Sequence, residues 1–161
     1  HSWWQLIPGH GRGEASMAAM TELDYQTKDI GKAPYLEYPL YFHSTGQVML
    51  HSKVAPTLQL LPGRKLRFAV ALDDAQPVIV DTLPDSSEQS WQQAVLDGSR
   101  TLKTPLHIKQ SGVHRLRIYL LDPAVVLHKL LLDTGGLQPS YLGPPQSPYL
   151  TNGAPAINGV Q

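Results

Sequence analysis

Acid–base hydrolysis asks for two carboxyl groups facing one another across a cleft, and the acidic residues of this chain are scattered along it. Asp73-Asp74, Asp81, Asp122 and Asp133 each fall where an apolar run stops, the usual place of turn formers and caps. A calcium site would ask for a denser acidic loop. The seven histidines offer neither HExxH nor HxH spacing. His10, His43, His51, His107, His114 and His128 fall on separate segments, and His1 is the terminus. No serine sits in GxSxG, and the absence of cysteine excludes disulfides and thiolate metal sites. Gly9-His10-Gly11-Arg12-Gly13 has the glycine spacing of a phosphate loop, but no Lys-Ser/Thr follows and no strand–helix alternation surrounds it. A glycine-permitted turn between two strands is the simpler reading. Catalytic residues, a cofactor and a metal are therefore not expected.

Recognition is better supported than catalysis. Sugar rings present apolar C–H faces to Trp and Tyr while Asp, Asn, Gln and Arg take their hydroxyls. Trp3, Trp4, Trp91, Tyr35, Tyr41, Tyr119 and Tyr141 are the aromatic candidates, each with core packing as the competing role. Neighbours on a strand point oppositely, so Trp3 and Trp4 cannot both enter one core. Arg115 and Arg117 share a strand face with Tyr119 and have the chemistry to bind a uronate carboxylate; a solvated face is the plainer alternative. Trp3, Trp4, Trp91, Tyr119, Arg115 and Arg117 are thus the residues singled out for carbohydrate binding.

The elements that must position them are short strands. Residues 112–145 hold two apolar runs, 113–121 and 125–132, separated only by Asp122-Pro123-Ala124. Each is too short and too rich in Val, Ile, Leu and Tyr for a helix. Alternation puts Val113, Arg115, Arg117, Tyr119 and Leu121 on one face, and His114, Leu116, Ile118 and Leu120 on the other. Residues 2–8, 35–42, 47–54, 65–74 and 77–81 read likewise, the last two as a hairpin, with Pro39 marking 35–42 as an edge. A second hairpin is expected between 105–109 and 112–122, turning at Ser111-Gly112. Residues 21–34 read as a polar surface loop and 86–96 as the single short helix. Residues 134–161 read as a tail that wraps the surface or frays. Some ten strands with at most one short helix predict an all-β fold, a two-sheet antiparallel β-sandwich of jelly-roll type. The sandwich domain is placed at 1–147 and a Gly/Pro/Asn-rich tail at 148–161.

A chain of 161 residues buries about 68–70% of its unfolded surface around a single core. Thirteen basic against thirteen acidic residues leave no basic excess for a nucleic-acid partner, and no apolar run has the length of a membrane span. The start at His1 without methionine suggests a processed or excised piece of something longer.

Three segments carry a family resemblance: Asp122-Pro123-Ala124-Val125-Val126-Leu127, then Asp133-Thr134-Gly135-Gly136-Leu137, then Pro139-Ser140-Tyr141-Leu142-Gly143-Pro144-Pro145-Gln146-Ser147. The series resembles the DPGVVL, DTGGL and PSYLGPPES ending of the C-terminal domain of glycoside hydrolase family 115, whose enzymes are α-glucuronidases. Leu36-Glu37-Tyr38, Pro56-Thr57, residues 67–74 and Trp91 with Val95 follow the family's order, so the resemblance runs from about Trp3 to Ser147. Ala124 stands where Gly is usual, Gln146 where Glu is, Asp97 where Asn is common and His10 where Leu is. The resemblance implies a secreted or periplasmic, non-catalytic module with a fold like that of carbohydrate-binding modules. It would partner the catalytic domains of a parent enzyme, assist a homodimer of that enzyme, or hold glucuronoxylan or a similar glycan. A free-standing carbohydrate-binding module with its own aromatic site is the alternative.

Overall fold

The computed structural model describes residues 1–11, 15–57, 63, 65–83, 88–138, 143–148 and the backbone of 156–158. Ten strands run in chain order with one short α-helix: β1 Trp3–Pro8, β2 Ala15–Met20, β3 Tyr35–Phe42, β4 Gly46–Val54, β5 Arg67–Leu72, β6 Val78–Asp81, α1 Glu88–Leu96, β7 Arg100–Ile108, β8 Gly112–Leu120, β9 Val126–Asp133 and β10 Ala156–Asn158. They form two antiparallel sheets ordered β1-β2-β9-β4-β7 and β10-β3-β8-β5-β6. The four-strand sets β2-β9-β4-β7 and β3-β8-β5-β6 have jelly-roll order, and β1 and β10 each extend one edge.

Alternation builds the core. Val48, Leu50, Ser52 and Val54 of β4 point inward against Phe68, Val70 and Leu72 of β5 and Leu116, Ile118 and Leu120 of β8. Trp4, fully buried, fills the end under β1 and β2.

Several expected features are corrected. Residues 105–122 are no hairpin: β7 pairs with β4 and β8 with β3 and β5, so the turn after β7 crosses from one sheet to the other. Strand β7 also begins at Arg100, its Leu102, Thr104, Leu106 and Ile108 buried and the residues between them exposed. Residues 21–34 are not wholly a surface loop. Tyr25 packs on the main core, and a 3-10 turn at Ile30–Lys32 brings Ile30 and Ala33 against the outside of the second sheet. In the tail, 156–158 pair with the first three residues of β3. Strand β3 is thus not the edge that Pro39 suggested, but lies between β10 and β8, and Pro39, which has no N–H to give, falls in the stretch that β10 does not pair.

The crossing from β8 to β9 is held by Asp122. Its buried carboxylate accepts from the Arg67 backbone N–H at 2.9 Å, Nε at 2.7 Å and the second guanidinium nitrogen at 3.1 Å. Asp122 N–H in turn donates to the Arg67 carbonyl at 3.1 Å. Two residues on, Ala124 sits at φ 62, a left-handed backbone that a Cβ disfavours. Glycine there relieves about 1–2 kcal/mol of strain at an entropic cost of about 0.5–1 kcal/mol. Urea denaturation should therefore show Ala124→Gly more stable by roughly 0.5–1 kcal/mol. Asp122→Ala strips the partner from three donors and should cost about 2–4 kcal/mol in the same assay.

Candidate functional site

The six residues singled out from sequence do not converge. Trp3 is half-buried on the edge strand β1, while Trp4 beside it belongs to the core and offers no face to a sugar. Trp91 is half-buried on α1, which links β6 to β7 at one side of the sandwich. Arg115, Arg117 and Tyr119 do share the outer face of the second sheet, but each is used differently. Tyr119 is only 7% exposed and packs with Ala33, Ala69, Ala71 and Leu121 in a second apolar cluster. Its ring lies 5.4 Å from that of its cross-strand partner Tyr35. Arg117 donates from Nε to Glu37 Oε2 at 2.7 Å and lies over the Tyr35 ring at 5.5 Å. The bond to Glu37, opposing the cost of burial, holds the Arg117 guanidinium above its ordinary pKa. Arg115 remains well exposed.

Tyr41 was among the aromatic candidates but not among the six residues singled out. It stands on the same face, half-exposed, opposite Val113 on β8. The signal was present in the alternation of β3, which sends Tyr35, Glu37, Pro39 and Tyr41 outward together.

The carboxylates are tied to local donors. Asp81 accepts from the Leu83 N–H at 3.0 Å and pairs with Lys65 at 3.2 Å. Asp133 accepts from the Gly135 N–H at 2.9 Å. The buried Ser16 hydroxyl donates to the His10 carbonyl at 2.7 Å, so the nearby His10 Nδ1, at 3.3 Å, does not activate it. Gly11 is required beside this contact, because a Cβ there would come within 2.8 Å of Ser16 Oγ. Among the described residues no three histidines and carboxylates gather as a metal site.

A cavity of about 810 Å³ opens on the side where pairing is short. Strand β2 meets β9 through only Met17 and Ala18, so residues 129–133 lack a neighbour there among the described strands. Met17, Leu40, Leu116 and Leu127 are among its apolar walls, and Pro144–Pro148 borders it. Tyr38 also lines it, its phenol pushed up to about 12 by burial.

His114 is the inward charge of the second sheet. Its Nδ1 is 2.7 Å from Asp73 Oδ2 and its Nε2 is 2.8 Å from the Gln110 carbonyl. Both nitrogens face acceptors, which suits the doubly protonated ring. The bond to Asp73, then that to Gln110, raises the His114 pKa above the ordinary 6.5 despite burial. Burial pushes Asp73 up, but the Arg115 N–H, His114 and the Arg117 charge outweigh it and leave the carboxyl below the ordinary 3.8.

The sequence profile described as "Glycosyl hydrolase family 115 C-terminal domain" matches residues 1–146. No curated protein matches the chain. Among solved structures, the chain is similar to the family GH115 4-O-methyl-α-glucuronidase BtGH115A, with specificity for decorated arabinogalactans, at TM-score 0.65 and 23% identity. That match covers 83% of this chain but only 16% of the enzyme. The C-terminal CBM6 of LamC, a marine laminarinase from Zobellia galactanivorans, matches at TM-score 0.51 and 14% identity, covering 81% of this chain and 88% of that module. A family 35 carbohydrate-binding module from Clostridium thermocellum matches at 0.52 and 10%, covering 82% and 90%. At these identities the likenesses establish a common sandwich fold.

Stability should follow His114. A histidine raised on folding stabilises fully below its unfolded value of 6.5 and loses that contribution as pH rises through the raised value. Asp73, depressed on folding, contributes above 3.8 and loses its share as pH falls through the lowered value. As pH rises above 6.5 the Tm should therefore fall, and His114→Gln should flatten that part of the profile. Parallel profiles for the two proteins would contradict the assignment.

Proposed function

The chain belongs to the glycosyl hydrolase family 115 C-terminal domain family, and from that premise we propose that it is a non-catalytic module of an α-glucuronidase. It serves a parent enzyme that acts on glucuronic-acid-substituted plant polysaccharide. The module backs the catalytic domains of that enzyme, supports its dimer, or holds the glycan near them, outside the cell or in the periplasm. The observation that carries this reading is the profile match across residues 1–146. The ties of Asp81, Asp122 and Asp133 to local donors support the non-catalytic role. So does the span of this chain, 16% of the length of the α-glucuronidase it resembles.

Glycan holding as an independent activity has its own support. The two carbohydrate-binding modules named above are matched over 88% and 90% of their length, so the comparable unit is a whole binding module. This is the second reading, a free-standing carbohydrate-binding module with its own sugar site.

Affinity electrophoresis through gels containing glucuronoxylan or decorated arabinogalactan should retard the chain. Equal mobility with and without each glycan would remove glycan holding and leave support of the parent enzyme. In that case sedimentation at high concentration should show self-association, and a strict monomer would remove dimer support as well. The chain alone should release no glucuronic acid from either polymer; release would overturn the non-catalytic role.

A further inference from the structure

One block on the outer face of the second sheet is occupied by neither the apolar cluster around Tyr119 nor the Arg117–Glu37 bond. Tyr41 and Val113 are direct cross-strand partners, and Pro39 and Arg115 form the adjacent pair, so the four outward side chains make a two-by-two patch. Tyr41 is 50% exposed and Val113 63%. Large apolar side chains exposed singly are ordinary; here two stand side by side, with a proline completing one contiguous apolar strip. The Tyr41 ring is braced from the side by His43, the ring centroids 4.9 Å apart.

Arg115 supplies the charge. Its side chain is 63% exposed, and Glu37 Oε1 is 3.8 Å from its Nε, too far for a hydrogen bond. Glu37 is drawn away because Arg117 Nε holds its other oxygen at 2.7 Å. The neighbouring Asp73 is also engaged, one oxygen with His114 Nδ1 and the other with the Arg115 backbone N–H. Glu37 therefore pairs with Arg115 only at long range, both oxygens of Asp73 are engaged, and the fork of Arg115 keeps its hydrogen-bonding geometry for a planar carboxylate. Tyr41 and Arg115 are diagonal neighbours across the strand pair, about 7–8 Å apart along the backbone, within joint reach of an aromatic and a long side chain.

We propose that Tyr41, Val113, Pro39 and Arg115 form a subsite for one uronic acid unit borne by a polysaccharide. The C–H face of the pyranose lies on Tyr41 and the Val113–Pro39 strip, and its carboxylate takes the Arg115 guanidinium. The proposal rests on the glycan-holding reading above and gives it an address and a charge preference. Arg117 and Tyr119, though on the same face, lie outside the patch.

The test compares wild-type chain with Tyr41→Ala and Arg115→Gln by affinity electrophoresis on glucuronoxylan and on unsubstituted xylan, with NMR titrations of free glucuronate and glucose. Both side chains are exposed, so unchanged Tm values should show that the variants fold. Wild type should be retarded more by glucuronoxylan than by unsubstituted xylan, and glucuronate should shift amide signals of β3 and β8. Arg115→Gln should erase that preference, weakening glucuronate about tenfold while leaving glucose unaffected. Tyr41→Ala should weaken both sugars. If both variants behave as wild type on glucuronoxylan, the subsite is wrong while glycan holding survives elsewhere on the module. If wild type is retarded by neither polymer, the subsite and glycan holding fall together.

Discussion

Of the connections that pass between the two layers of this sandwich, the short one from β8 to β9 has the geometry on which the rest depends. Strand β8 lies at the centre of one sheet and β9 at the centre of the other, yet only residues 121–125 separate them. So abrupt a change of layer forces Ala124 into a left-handed backbone and buries Asp122. A buried carboxylate is costly unless saturated with donors, and Arg67 saturates it from β5, the strand beside β8. The same crossing is stitched to the opposite sheet, since the Val125 carbonyl accepts from Ala19 and the Val126 carbonyl from Ala55. Two sheets are thereby clamped through a few residues.

The charges on the outer faces follow from that clamp. With β3, β8 and β5 fixed side by side, Arg117 falls opposite Glu37, and Asp73 at the end of β5 meets His114 and the Arg115 N–H. Opposite charges and hydrogen bonds are consumed pairwise along the face, and Tyr35 with Tyr119 seals the strip over Ala69 and Ala71. This leaves a mostly self-satisfied sheet surface that ends in an apolar block beside Arg115. Such a surface suits holding an extended partner, because binding requires little rearrangement of groups already locked by the strands.

The alternation of residues 112–120 was legible because side-chain direction in a strand depends only on parity. The same holds for residues 46–54 and 67–72, and for the single helix at residues 88–96. The roles of Asp81 and Asp133 as turn partners could also be read, since an Asp ending an apolar run bonds nearby N–H groups; the tie of Asp73 to His114 and the Arg115 N–H on β8 could not. The pairing of β7 could not. A three-residue gap with Ser111-Gly112 looks like a hairpin, but in a jelly roll a short connection often changes sheet, and local sequence does not say which layer receives a strand. The beginning of β7 was overlooked because Thr101, Lys103 and Thr104 dilute its apolar rhythm, although the burial is a clean period of two.

The amino-acid sequence alone determined the all-β class, the inward set of each main strand and the motif series at 122–147 that gives the family, because all of these live in parity, composition and short contiguous words. Tertiary structure decided which candidate aromatics and arginines were usable. Trp4 and Tyr119 were withdrawn by burial, Arg117 by Glu37, and Tyr41 was joined to Arg115 by the pairing of two strands some seventy residues apart. Cross-strand neighbours are set by register between distant segments, a quantity that no local pattern contains.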